Sequence, residues 1–211
     1  MGLTRRSNRQ YFDVSLGAIR RRVSEDTPDA VKRKKSDDSV VWELVFKDME
    51  GILEDILFKT HPEYGNSWVL HIKDGNDEFG LQVHEDSAYG RDLLKKIPNL
   101  RQGGVYRFTP YDYERNKKRK TGIFINTQGD ERVDSYYQRF EGSNEDGWTV
   151  TNLNGYPEYT GAKNDKDEFK IYCLQATKFL RTRAQEHIKT TFHEALPEQG
   201  DDAIPVDDNP F

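Results

Sequence analysis

Residues 106–120 read YRFTPYDYERNKKRK. Four aromatic residues, Tyr106, Phe108, Tyr111 and Tyr113, are followed at once by five cations, Arg115, Lys117, Lys118, Arg119 and Lys120. Flat rings stack on bases, worth about 1–3 kcal/mol per base, and clustered cations neutralise a phosphate backbone. Together they hold a single strand with little regard to its sequence. A solvated hairpin whose lysines protect a strand edge has the same composition. Period-two alternation divides the stretch. Tyr106 and Phe108 share one face and are assigned to a core; Arg107, Tyr111 and Tyr113 are assigned to a groove. Trp42 and Trp68, each among aliphatic neighbours, go to the core by the same reasoning. His71 and Lys73, opposite the Trp68 face, become contacts to phosphate or base, and Phe79 joins as a candidate stacking ring. The clusters Arg20–Arg22 and Lys32–Lys35 fit a clamp on a backbone and a solvated surface equally well.

A second unit with chemistry is the ending DDAIPVDDNPF. The Phe211 ring stands beside its own carboxylate, with Pro210 before it and Asp207 and Asp208 before that. Such a unit docks by filling an apolar pocket with the ring and pairing the carboxylate with Arg or Lys, while the aspartates steer it to a basic rim. Proline limits the chain entropy lost on docking.

Catalytic constellations are not legible. His61, His71, His84, His187 and His193 have no metal-ligand spacing, and Gly103-Gly104 lacks the pattern of a phosphate-cradling loop. His84, Glu85 and Asp86 stand together, but metal-dependent phosphodiesterases need carboxylates converging from several elements. The expectation is a non-enzymatic protein without a cofactor. The single Cys173 excludes an internal disulfide and fits a reducing, cytoplasmic setting. No apolar run is long enough to span a membrane, and MGLTRRSNRQ has cations but no apolar stretch behind them, unlike a secretory signal.

The net charge of -5 conceals segregation. Residues 1–36 carry ten Lys/Arg against four acids, and residues 101–125 carry seven against two, whereas six acids and no base follow from Glu194 onward. Basic body parts with an acidic tail point toward a polyanionic partner.

The elements that must position these groups follow from periodicity. QYFDVSLGAIRRRV opens with a short strand, and residues 24–39 read as a mobile loop. VVWELVFKD and ILEDILFKT form one strand bent at Gly51, and two further strands, SWVLHIKDG and EFGLQVH, form a hairpin. Residues 86–98 space Tyr89, Leu93, Leu94 and Ile97 helically behind a capping Asp86 or Ser87, and Pro98 ends the helix. Two more strands follow, separated by the basic loop NKKRK. Strand, strand, strand, helix, strand, strand is the order of the OB-fold, a five-stranded Greek-key barrel. Beyond residue 126, ERVDSYYQRF reads as a short helix, the glycine- and asparagine-rich stretch after it as loop or hairpin, and residues 167–190 as an amphipathic helix with Phe169, Cys173, Ala176, Leu180 and Ala184 in one stripe.

The tail resembles the C-terminal tip of bacterial and phage single-stranded DNA-binding proteins, an acidic stretch closing in Ile-Pro-Phe or a near variant. Here DDAIP and DDNPF look like that tip doubled, with Asn209 where the family has an apolar residue. The helix, glycine pair and basic loop of the middle segment are similar too. The resemblance implies an OB-fold that binds single-stranded DNA during replication, recombination or repair, and a tip, Asp207, Asp208, Pro210 and Phe211, that recruits partner proteins. About forty residues before the barrel and a helix after it depart from the bacterial members and favour a divergent, phage-type one. The expected layout is a basic extension (1–39), an OB-fold domain (40–126), an extension with loop and helix (127–192) and a disordered acidic tail (193–211). The alternatives are an RNA-binding OB-fold protein and an interaction adaptor with no affinity for nucleic acid.

Overall fold

The computed structural model describes residues 9–35, 37–63, 65–144, 147–162 and 165–193. It is mainly β. Nine strands form one curled sheet: β1 (Gln10–Ser15), β2 (Ala18–Val23), β3 (Val31–Lys34), β4 (Val40–Phe46), β5 (Met49–His61), β6 (Gly65–Asp74), β7 (Asp77–His84), β8 (Val105–Arg115) and β9 (Lys118–Thr127). Their spatial order is β3-β4-β2-β1-β7-β6-β5-β8-β9. A separate hairpin joins β10 (Gln138–Asn144) to β11 (Gly147–Asn152). Helix α1 (Ala88–Leu94) and a 3-10 turn (Ile97–Asn99) lie between β7 and β8, and α2 (Lys166–Ile188) closes the described chain with a π turn over Lys189–His193.

The curl begins at Gly51. Met49 to Ile52 pair with β8, and from Ile52 onward β5 pairs with β6. A Cβ at Gly51 would lie 2.6 Å from the Lys73 carbonyl oxygen, so only glycine lets β5 bend this closely across its neighbour. A register shift between Leu53 and Asp55 adds to the bend. The Leu16-Gly17 turn lies against Asp112 on β8, where the Gly17 amide donates to the Tyr89 hydroxyl at 2.6 Å. Leu53, Ile56, Trp68, Leu70, Ile72, Leu81 and Phe108 are fully or almost fully buried in the core, with Leu93, Leu94 and Ile97 from the α1 segment. Each such side chain contributes about 1.5–3 kcal/mol.

Several expectations are corrected here. The sheet has nine strands rather than five. The single bent strand over residues 40–60 is two: β4 pairs with β2 and β3, while β5 holds the bend. Within the expected loop, Val31–Lys34 pair with β4. Charge hid that strand, yet alternation turns Arg20 and Arg33 toward Glu43, which is 3% exposed and bonded by them at 3.1 and 2.6 Å. Residues 131–140 form no helix: Arg132 bridges to Asn126, and Tyr137 is drawn among Tyr156 and Phe179. Trp68 is in the core, whereas Trp42 is only half-buried. Ser87 caps α1, accepting from the Gly90 amide at 3.0 Å, and the helix stops at Leu94 with Pro98 inside the following turn. The α2 stripe runs through Ala176, Leu180, Ala184 and Ile188; Phe169 is 52% exposed.

The Arg33 hydrogen bond, then that of Arg20, holds the Glu43 carboxyl below its ordinary 4.5. The unfolded chain therefore takes up this proton first. Stability from Glu43 is whole above that value and is lost as pH falls through the lower folded pKa. Urea unfolding at neutral pH and near pH 3.5 should show a smaller acid-induced loss for Glu43→Gln than for the unaltered protein.

Candidate nucleic-acid interface

A two-residue turn, Asn116-Lys117, joins β8 to β9 with φ of +53° and +58° at its two positions, the pairing of left-handed conformations that keeps hairpin strands in twist. Its register places Thr109 opposite Phe124, Tyr111 opposite Gly122, Tyr113 opposite Lys120 and Arg115 opposite Lys118. Tyr106, Phe108 and Pro110 point into the core, and Ile123 and Ile125 do so from β9. Arg107, Thr109, Tyr111 and Tyr113 therefore share the other face with Lys118, Lys120 and Phe124. The expected sorting of Tyr106 and Phe108 from Tyr111 and Tyr113 matches this arrangement.

On that face the aromatic residues form a pile. Phe124 stacks on Tyr111 with centroids 4.2 Å apart and planes 25° from parallel. Tyr113 extends the series, 5.7 Å from Tyr111 and 46% exposed. Arg132 lies 4.6 Å from the centroid of the Phe124 ring as a cation–π partner. The Tyr111 ring lies over Gly122, where a Cβ would come within 2.5 Å of the phenol oxygen. Burial pushes that phenol up to about 12, so it is neutral at physiological pH. Beside the pile is a cleft of about 360 Å³ lined by Lys47, Asp48, Arg107, Thr109, Phe124, Asn126 and Arg132. Of the three rings only Tyr113 is exposed, and Lys47 and Arg132 line the cleft beside Phe124.

The free edge of β9 is closed over Ile123–Thr127. Asp92 of α1 accepts from the Ile123 amide at 2.8 Å, and the Lys96 ammonium donates to the Ile123 carbonyl. Val133 donates to the Ile125 carbonyl at 2.8 Å. Over Ile123–Ile125 an edge so covered does not recruit another strand.

The other expected contacts fall differently. Arg115, Lys117, Lys118 and Lys120 are exposed at the hairpin end. Arg119 points to the opposite face and bonds Asp112 at 2.7 Å, holding that carboxyl below its ordinary value. Arg107 is shared between Glu50 at 2.7 Å and Asp130 at 3.0 Å. Both pairs are exposed, so little opposes exchange of a carboxylate for a phosphate. His71 is 8% exposed and bonded to Arg9 at 3.2 Å. Burial, with Arg9 adding to it, lowers its pKa and keeps it neutral, so it is no cationic phosphate contact at physiological pH. Lys73 lies 3.9 Å from Glu54 and lines a different cleft with Gly51 and Val105. Phe79 is half-buried, edge-on to Phe12 at 5.7 Å. Asp207, Asp208, Pro210 and Phe211 lie outside the described residues.

Sequence reading missed Phe124, Arg132 and Lys47. A signal existed for the first: counting back from a two-residue Asn-Lys turn sets Phe124 opposite Thr109. For Arg132 and Lys47, which arrive from loops, no such count exists. Among the described residues no group of three or more His, Cys, Asp or Glu is placed to hold a metal ion. No described helix is long and apolar enough to cross a membrane. No family model matches the chain, and neither a curated protein nor a solved structure matches it.

Proposed function

We propose that this protein binds single-stranded nucleic acid without reading its sequence, through the outer face of the β8–β9 hairpin. The observation that carries the reading is the continuous pile Arg132–Phe124–Tyr111–Tyr113, running into the exposed cations of the hairpin end. Stacking faces beside mobile cations accept any base and any phosphate. The pairing of β5 with both β6 and β8, and α1 between β7 and β8, support reading β5 to β9 as an OB-type unit widened by the N-terminal strands. The acidic ending, with Asp207, Asp208, Pro210 and Phe211, serves in this account to recruit partner proteins of replication, recombination or repair. DNA is the expected strand by the resemblance of that ending. Stacking and charge serve RNA equally, so matched oligomers decide between them.

The test is anisotropy of labelled oligo-dT and oligo-U across a salt series. Six cations, Lys47, Arg115, Lys117, Lys118, Lys120 and Arg132, line or flank the face. At roughly 0.7 per contact on a single strand, the log-log salt slope should be about -4. Tighter binding of oligo-U would favour the RNA reading. Flat anisotropy with both oligomers would leave the hairpin a solvated surface and refute the proposal.

A further inference from the structure

Helix α2 is longer than the surface it packs on. Its inward stripe of Ala176, Leu180, Ala184 and Ile188 lies in the C-terminal half, and from Asp165 to Gln175 no described residue is buried. Yet this overhanging end is not polar. Ile171 is 55% exposed and Leu174 64%, the two highest values among the large apolar side chains described.

Lone apolar residues on a surface need no partner. These two are one turn apart and belong to a pattern. Asp167, Ile171, Leu174 and Lys178 follow at intervals of four, three and four, the a/d spacing of a coiled-coil seam. The helical period puts all four on one face, turned away from the stripe that meets the core. All four are exposed, and among the described residues neither Asp167 nor Lys178 takes part in an ion pair.

The order of charges makes this face complementary to itself. Against a second copy running in the opposite direction, Ile171 of each chain meets Leu174 of the other, and Asp167 of each meets Lys178 of the other. Apolar pairs fill the centre and an ion pair closes each end. Beside the seam Glu168 comes near Gln175 and Lys170 near Thr177, so no like charges oppose. A parallel pair would instead set Asp167 against Asp167 and Lys178 against Lys178, which repel. A contact in which one residue meets a second while the second meets the first is what two-fold pairing of identical chains requires.

We propose that α2 is a docking surface for a second copy of this chain, the two helices packing antiparallel through Ile171 and Leu174 with their register set by the Asp167–Lys178 pairs. The pairing stands apart from the strand-binding reading and does not depend on it. The contact covers about three turns of each helix, so the dimer is weak, smaller in area than a permanent interface.

Sedimentation equilibrium of the full chain, from about 1 to about 200 micromolar, should show the mass rising from that of one chain toward that of two, as a weak dimer requires. Leu174→Asp puts a charge in the centre of the seam and should leave a monomer throughout. Asp167→Lys and Lys178→Asp each turn both end pairs into like charges, and each alone should weaken association about tenfold, exposed pairs being individually weak. Mixed in equal amounts, these two variants should regain the association of the unaltered chain, because the mixed pair has opposite charges at both ends again. All three positions are exposed, and an unchanged circular dichroism spectrum reports that each variant is folded. An unaltered chain that stays monomeric over the whole range would overturn the proposal and leave the face to the chain's own acidic ending or to a different protein. Association that Leu174→Asp does not touch, or a mixture no more associated than its components, would overturn it as well.

Discussion

Replacing Arg181 by alanine should lower the stability of the protein by about 3 kcal/mol, the low end of what removing one partner of a buried ion pair costs. Glu85, at the end of β7, is fully buried. Its carboxylate is held by the two-pronged guanidinium of Arg181 on α2, at 2.7 Å from Nε, and by the Asn66 amide at 3.1 Å. Arg181 is about a third exposed, which moderates the loss. Without it, a carboxylate stays buried with one neutral donor, and α2 loses its polar tie to the sheet. The guanidinium also lies 5.6 Å from the Phe58 ring, so packing is lost with charge. Urea unfolding of Arg181→Ala and Arg181→Lys measures this. Lysine cannot reproduce the fork and should recover only part of the loss. No loss with alanine would mean that α2 is held by its apolar stripe, Ala176, Leu180, Ala184 and Ile188, and full recovery with lysine would mean that charge rather than the fork holds Glu85.

The Tyr111→Ala/Phe124→Ala double substitution should weaken binding of a short oligo-dT by about 5- to 150-fold, the equivalent of about 1–3 kcal/mol for one lost base stack. Both rings face outward from strands whose other face is core, and their mutual contact is stacked at 4.2 Å. Removing them leaves the cations of the hairpin end in place, so the salt slope should remain near that of the unaltered protein. Loss of affinity with an unchanged slope separates stacking from charge. Tyr111→Phe should bind normally, because the neutral phenol contributes its ring rather than a charge. Should the double variant bind as before, the pile is structural and the strand lies elsewhere.

The hairpin was legible because its two faces differ in kind: Tyr106 and Phe108 against Tyr111 and Tyr113, closed by a turn rich in cations. α1 and α2 were legible for the same reason, a periodic apolar stripe. β3 was not, since VKRK shows no apolar face; its partners are the Glu43 carboxylate and the Trp42 indole on β4, ten residues further on, which no local pattern supplies. The break between β4 and β5 reads as a bend because Gly51 stands between two extended stretches, Val40–Asp48 and Ile52–Thr60, that both alternate. Only the distant β1–β2 hairpin, which draws β4 away, separates the two. His71 looked like a contact because it alternates with Trp68. Yet β6 is buried on both faces over Ser67–Ile72, a property set by neighbours rather than by its own sequence.

Photo-crosslinking tests the central claim most directly: a short oligo-dT of about 5 nucleotides, irradiated on the full chain, followed by mass mapping of the modified peptides. Adducts confined to peptides from Val105–Arg115 and Lys118–Thr127 are the expected result, because those strands carry Tyr111, Tyr113 and Phe124. Adducts only on other segments, or none while binding is saturated, would contradict the assignment of the strand to this face.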